Sequence, residues 1–88
     1  MSAIINEAFS SVGATDGEKV QGHFNVEVVF SNTGSINLER MVEGGVEYVP
    51  VETITENVSK IGHDPVYGNK YRFNCTAIDG TATVRITK

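Results

Sequence analysis

Strict alternation of apolar and polar side chains over residues 23–30 is the feature of this sequence that most constrains its fold. The segment reads HFNVEVVF, and its even-numbered positions carry large apolar side chains: Phe24, Val26, Val28 and Phe30. Successive side chains of a β-strand point to opposite faces, so a period of two predicts a strand with one buried face. This segment is the clearest strand in the chain.

The segment that follows is predicted to pair with this strand as a hairpin. Residues 31–34 read SNTG, and Asn and Gly tolerate the positive φ that tight turns require. Residues 35–42 then continue as a strand with Ile36 and Leu38 facing inward.

Four more strands are predicted, over residues 46–51, 53–61, 71–77 and 82–87. Pro50 cannot donate a ladder hydrogen bond, so the strand that contains it lies at a sheet edge or ends there. The dipeptide Asp79-Gly80 between the last two strands is a strong hairpin signal. Six or so short strands without an amphipathic helix predict an all-β fold, a small antiparallel β-sandwich that is Ig-like or jelly-roll-like.

Residues 1–21 are predicted to form an N-terminal arm that precedes a β-sandwich domain of residues 22–88. The arm is rich in small residues and has no sustained period. A short strand near Ala8 to Val12 and a short helix over Ala3 to Phe9 are both compatible with it. Its apolar residues are too many for a solvated tail, so we expect them to pack on the domain or on a neighbour: Ile4, Ile5, Phe9 and Val12.

The chain length of 88 residues fits one domain with a thin core. A domain of this size buries only about 60% of the surface that its unfolded chain exposes, so its own core gives marginal stability. The single cysteine, Cys75, cannot form a disulfide within the chain, and no Cys/His cluster suggests a structural zinc site. Partner subunits are therefore the expected additional source of stability.

The formal net charge of −4 makes nucleic acid an unexpected partner, because proteins that bind phosphates concentrate Lys and Arg on one face. Residues Met1 to Phe9 contain neither a basic segment nor a long apolar run. We therefore expect no signal peptide and no membrane association.

Two stretches of the sequence have a distinctive pattern. One is residues 38–51, with Leu38-Glu39-Arg40, Glu43-Gly44-Gly45, Tyr48 and Pro50-Val51, and the other is residues 71–86. Both resemble small structural proteins of tailed bacteriophages. The resemblance covers about residues 22–88, with Tyr48 where tryptophan is usual and Glu43 where aspartate is usual. The second stretch, residues 71–86, is similar to the closing aromatic-arginine and glycine-threonine hairpin of those proteins.

This resemblance implies a virion component, assembled in the host cytoplasm, and for a chain of this length a capsid decoration (cement) protein. Such proteins bind the outside of the major capsid protein lattice and stabilise it, often as homo-oligomers such as trimers. A tail, neck or fibre-base role is the alternative within the virion. The residues expected at the interface are the arm residues Ile4, Ile5 and Phe9 and the outward apolar residues Val29, Met41 and Ile78.

Arg40 is a further candidate, because arginine is enriched at binding hot spots. It follows Glu39 directly, so the two side chains are expected on opposite faces of the strand. The alternative for Arg40 is a structural ion pair with a carboxylate such as Glu43 or Glu47.

Catalysis has no visible place in this sequence, and no cofactor is expected. His23 and His63 lie about 40 residues apart without a third ligand at motif spacing, and are expected to be surface histidines. Cys75 falls on an inward parity and has no basic neighbour on its face that would activate it. From another class, a carbohydrate-binding module would need an exposed aromatic platform, for which Tyr48, Tyr67 and Tyr71 are the candidates.

Overall fold

The computed structural model describes residues 3–66 and 68–88, and this part of the chain consists of β-strands joined by turns, without a helix. The all-β prediction is therefore confirmed. In chain order the strands are β1 (Ala3–Phe9), β2 (Gly13–Ala14), β3 (Glu18–Lys19), β4 (Gly22–Phe30), β5 (Thr33–Met41), β6 (Val49–Ile54), β7 (Val58–Asp64), β8 (Lys70–Asp79) and β9 (Ala82–Thr87).

The strands form two antiparallel sheets. The first sheet has the order β1-β9-β4-β7. The second has the order β2-β8-β5-β6, and β3 pairs with β8 further along the same edge as β2. The inner faces of both sheets contribute side chains to one core, as in a β-sandwich.

The strand pairs are nested within one another. The innermost pair is β5 with β6. The next pair outward along the sequence is β4 with β7, followed by β2 and β3 with β8. The outermost pair is β1 with β9. When such a nested hairpin winds into two sheets, it is a jelly roll. Of the two sandwich types that the sequence left open, the topology is therefore the jelly-roll type.

Most of the core is built from the alternating positions that the sequence indicated, and Ile5, Phe9 and Val20 from the first 21 residues complete it. Val28, Ile36, Phe73, Val84 and Ile86 have no accessible surface. Burial of each large apolar side chain contributes on the order of 2 kcal/mol. The other buried apolar residues are Ile5, Phe9, Val20, Phe24, Val26, Phe30, Leu38, Ile54, Tyr71, Cys75 and Ala82.

Both hairpins that were predicted from tight-turn signals are wrong. β4 and β5 lie in different sheets, as do β8 and β9, so the residues between them cross the sandwich. The two crossings are joined by two hydrogen bonds, both 2.8 Å long. Ser31 N–H donates to the Thr81 carbonyl, and Thr81 N–H donates to the Ser31 side-chain Oγ. Turn residues such as Gly80 (φ 91°) allow a reversal of the chain without determining which sheet the next strand joins.

Residues 3–21 are part of the sandwich and do not form a separate arm. Ala3–Phe9 is a strand, so the helix alternative is wrong and the strand expected near Ala8 to Val12 begins earlier. It pairs with β9 along one edge of the first sheet, from Ala3 opposite Thr87 to Phe9 opposite Ala82. The next residues supply β2 and β3 to the other sheet.

The middle of the chain differs from the prediction in its boundaries. The strand predicted over 46–51 begins at Val49, and residues 55–57 divide the strand predicted over 53–61 into β6 and β7. β6 lies at the edge of the second sheet, which agrees with the position expected for Pro50.

Candidate protein-binding surface

The arm residues expected at an interface lie against the domain's own core. Ile5 and Phe9 are buried between the sheets, and Ile4 is partly buried against the same cluster. Ile5 and Phe9 are therefore not available to a partner, contrary to the expectation, whereas Ile4 keeps part of its surface accessible. The physical reason is that β1 completes the first sheet, so its apolar residues cover the edge of the core.

The three apolar residues expected on outward faces differ from one another. Val29 is exposed on the outer face of the first sheet, and Met41 is half-buried at the end of β5. Ile78 packs against the core instead of facing outward. The cause is an irregularity in the pairing of β5 with β8, where Ser35 lies opposite Ala77 but Ile36 lies opposite Cys75, so the extra residue changes the parity of the end of β8.

Arg40 is exposed, and its charge acts on Asp64 and Tyr71 at one end of the sandwich. Across the described residues no ion pair joins Arg40 to either expected partner, Glu43 or Glu47. Arg40 therefore remains an accessible cation beside a buried polar cluster.

That cluster is centred on Asp64, which is only 3% exposed. Its Oδ1 accepts the Val66 N–H at 2.9 Å, and its Oδ2 accepts the Asn69 Nδ2–H and the Tyr71 hydroxyl, both at 2.9 Å. Burial by itself raises the pKa of Asp64, but these hydrogen bonds and the Arg40 charge outweigh it, so the pKa lies below its ordinary value. The hydrogen bonds of Asn69 and Tyr71 to Asp64 connect the end of β7 to the start of β8.

A second polar cluster lies on the outer face of the second sheet. Glu39 is 4% exposed, and its carboxylate accepts the Arg72 Nε–H at 2.7 Å and the Asn74 Nδ2–H at 3.1 Å. The Tyr48 ring covers the Arg72 guanidinium, 4.1 Å from the ring centroid. The Tyr48 hydroxyl fills the space where Gly17 lacks a side chain. The sequence placed Glu39 and Arg40 on opposite faces but did not identify Arg72 as the partner of Glu39.

The tip of the β5–β6 hairpin carries four exposed valines, which we call the valine tip: Val42, Val46, Val49 and Val51. Val46 is 93% exposed, and the other three are between 48% and 59% exposed. Gly44 has φ 80°, and the Gly45 N–H closes the turn on the Val42 carbonyl at 2.8 Å. This surface was not predicted from sequence. The four valines fall in segments predicted as strands, residues 35–42 and 46–51, and valines in strands are normally buried.

The outer face of the first sheet carries polar and charged side chains together with the exposed apolar residues Val29 and Ile61. A shallow depression of about 320 Å³ crosses β9, β4 and β7. Arg85 bridges it weakly, 3.4 Å from the Glu27 carboxylate. The depression is lined by Asn25, Glu27, Ser59, Arg85 and Thr87.

Two kinds of site that the sequence raised have little support in the geometry. Cys75 is 1% exposed, and burial raises the pKa of its thiol, which is the opposite of what a nucleophile requires. Of the proposed aromatic platform, Tyr71 is buried, Tyr48 lies on Arg72, and Tyr67 lies outside the described residues.

Ligand-binding features of other kinds are also few in the part of the chain that is described. Residues 3–66 and 68–88 contain no group of three or more potential metal ligands. They contain no buried side-chain nitrogen or oxygen that lacks a hydrogen-bond partner. Nor do they include a helix with the length and apolarity needed to span a membrane.

No protein-family model, curated protein or solved structure matches this chain. The fold and its surface define a class, that of small jelly-roll domains with a closed core and an exposed apolar hairpin tip. Fold class alone does not assign a function, because one fold can carry many unrelated activities. The surface of this domain is therefore the source of functional information.

Proposed function

We propose that this protein is a bacteriophage capsid decoration protein, which binds the outer surface of the major capsid protein lattice through its valine tip. The observation that carries the proposal is the concentration of four exposed valines in one hairpin. That hairpin also contains the sequence motif that resembles virion structural proteins.

The valine tip has the composition of a binding surface. Singly exposed apolar residues are normal, but a group of them with polar neighbours is typical of protein contact sites. Glu43 and Glu47 lie within the same turn and are both exposed. A partner that matches this surface has an apolar depression with basic residues at its rim.

Binding of this kind stabilises a lattice by mass action. A subunit that binds only the assembled lattice lowers the free energy of that lattice by its binding free energy. One hairpin tip offers a small contact area, so the proposal includes a homo-oligomer, such as a trimer, that presents several tips together. An oligomer that binds through several tips at once has a higher overall affinity for the lattice than a single tip, because each further contact forms at high effective concentration. The location that follows is the virion.

The test is co-sedimentation of the purified protein with undecorated capsids, combined with the thermal stability of those capsids. The wild-type protein should sediment with the capsids and raise their disruption temperature. The double variant Val46→Ser/Val49→Ser should bind about a hundredfold more weakly, because each buried valine contributes about 1.5 kcal/mol, or roughly tenfold in affinity.

A matched control uses two exposed apolar residues on the outer face of the first sheet, outside the valine tip. Val29→Ser/Ile61→Ser removes the same kind of surface at 44% and 71% exposure, and it should bind as the wild type does. Equal loss in both double variants would contradict the role of the valine tip. No binding by the wild type would contradict the decoration role itself. The number of copies in purified particles separates this role from a tail, neck or fibre-base role, which needs far fewer copies.

A further inference from the structure

Two histidines that are distant in sequence lie side by side on the outer face of the first sheet. His23 of β4 is directly opposite His63 of β7 in the antiparallel pairing. Their rings are stacked, with centroids 4.2 Å apart and planes inclined by 16°. Both side chains are exposed. Sequence reasoning treated them as unrelated surface histidines because their spacing along the chain does not show this pairing.

We propose that His23 and His63 form a chelating site for a divalent late first-row transition metal, of which Zn²⁺ is the probe. Neutral imidazole nitrogens are preferred ligands of Zn²⁺, Cu²⁺ and Ni²⁺. Residues directly opposite on antiparallel strands have Cβ atoms only about 5 Å apart, within reach of one shared metal ion. Rotation of two exposed rings about their side-chain torsions turns one nitrogen of each toward the metal.

The backbone holds the two histidines at a fixed separation. β4 and β7 stay in register without interruption from Gly22 opposite Asp64 to Val28 opposite Val58. The Asp64 cluster fastens the end of β7 close to His63. The backbone around the two histidines is therefore ordered before a metal binds, so metal binding costs little conformational entropy.

The site has two protein ligands, and water supplies the rest. The nearest buried carboxylate, Asp64, has both oxygens engaged by hydrogen bonds on the other side of the strand, so it is not a third ligand. The outward neighbours on the two strands are Asn25 and Ile61, which carry no charge. β7 is the edge strand of its sheet, so the site is open to solvent on that side. Because the metal and protons compete for the same imidazole nitrogens, metal affinity should fall as the pH is lowered.

The experiment is a Zn²⁺ titration of the wild-type protein near pH 7.5, followed through the imidazole ¹⁵N chemical shifts. Both rings should shift together at one affinity. Each single variant, His23→Gln or His63→Gln, should bind about tenfold more weakly or worse, because the second ligand no longer acts at high effective concentration. The double variant His23→Gln/His63→Gln should show no shift of comparable affinity.

Two results would overturn the proposal. One is equal Zn²⁺ affinity in the wild type and in the single variants, which would mean that the rings bind independently. The other is a shift pattern that involves neither ring. Since the three variants change exposed side chains, an unchanged denaturation midpoint is the control for folding. The site does not include the valine tip, so the outcome is independent of the proposed capsid binding.

Discussion

Removal of the Asp64 carboxylate should destabilise the domain more than any other single polar substitution considered for this protein. In Asp64→Ala, the Asn69 amide and the Tyr71 hydroxyl both lose their acceptor while they remain buried. The third donor, the Val66 N–H, belongs to an exposed residue and can bond to water. Each buried donor left unpaired costs about 1–3 kcal/mol, so the expected loss is about 4 kcal/mol.

Urea denaturation followed by circular dichroism measures this loss as a shift of the midpoint at constant slope. The matched control is Asp79→Ala, which removes a carboxylate that accepts the Asn32 Nδ2–H at 2.9 Å on the exposed surface. The control should change the free energy of unfolding by about 0.5 kcal/mol or less. Similar small losses in both variants would refute the reasoning, because the Asp64 cluster would then be open to water.

The same carboxylate predicts a dependence of stability on pH. Because the folded pKa of Asp64 is lowered, its contribution is fully present above the unfolded value of about 3.9 and is lost as the pH falls through the folded pKa. Asp64→Asn should lack this part of the acid-induced loss. Parallel curves for wild type and Asp64→Asn between pH 5 and pH 2 would contradict the lowered pKa.

Three further substitutions or reactions test other parts of the structure. Glu39→Gln should lower the free energy of unfolding by about 1–2 kcal/mol in urea denaturation, because its ion pair with Arg72 is largely buried. The control Glu27→Gln removes an exposed ion pair and should lower the free energy of unfolding by about 0.5 kcal/mol or less. Gly62→Ala should cost about 1–3 kcal/mol, because the new Cβ lies 2.6 Å from the buried Phe24 ring; a fully stable variant would contradict that packing. Cys75 should react with a thiol reagent only as fast as the protein unfolds, and a fast reaction would show that it is accessible.

The strands of this fold were predictable from sequence, but the way they connect was not. Alternation identified β4, β5, β8 and β9, because their buried faces follow a period of two. The bounds of β1 were predicted wrongly, because Ile4 and Ile5 are adjacent and break the alternation. The turn sequences after β4 and β8 predicted hairpins, but both segments cross between the sheets. A hairpin turn and a crossing turn have the same composition, so composition does not distinguish them.

The surface was predicted less well than the core. Val29 was placed correctly, but the parity of Ile78 depended on an irregularity in β8 that has no local sequence signal. The ring pair of His23 and His63 depends on the register of two strands that are not neighbours in sequence, β4 and β7. Contacts of this kind come from topology, and composition and spacing do not show them.

The nested strand pairs have a consequence for how the chain folds. The pair β5–β6 closes a short loop, with Arg40 opposite Val49, whereas β1–β9 joins the two ends of the sequence. Closing a loop costs more conformational entropy as the loop lengthens. If the inner strand pairs form first, each outer pair has a shorter effective loop left to close. We therefore expect the β5–β6 hairpin to form early and β1 to dock last, which makes β1 the strand that detaches first.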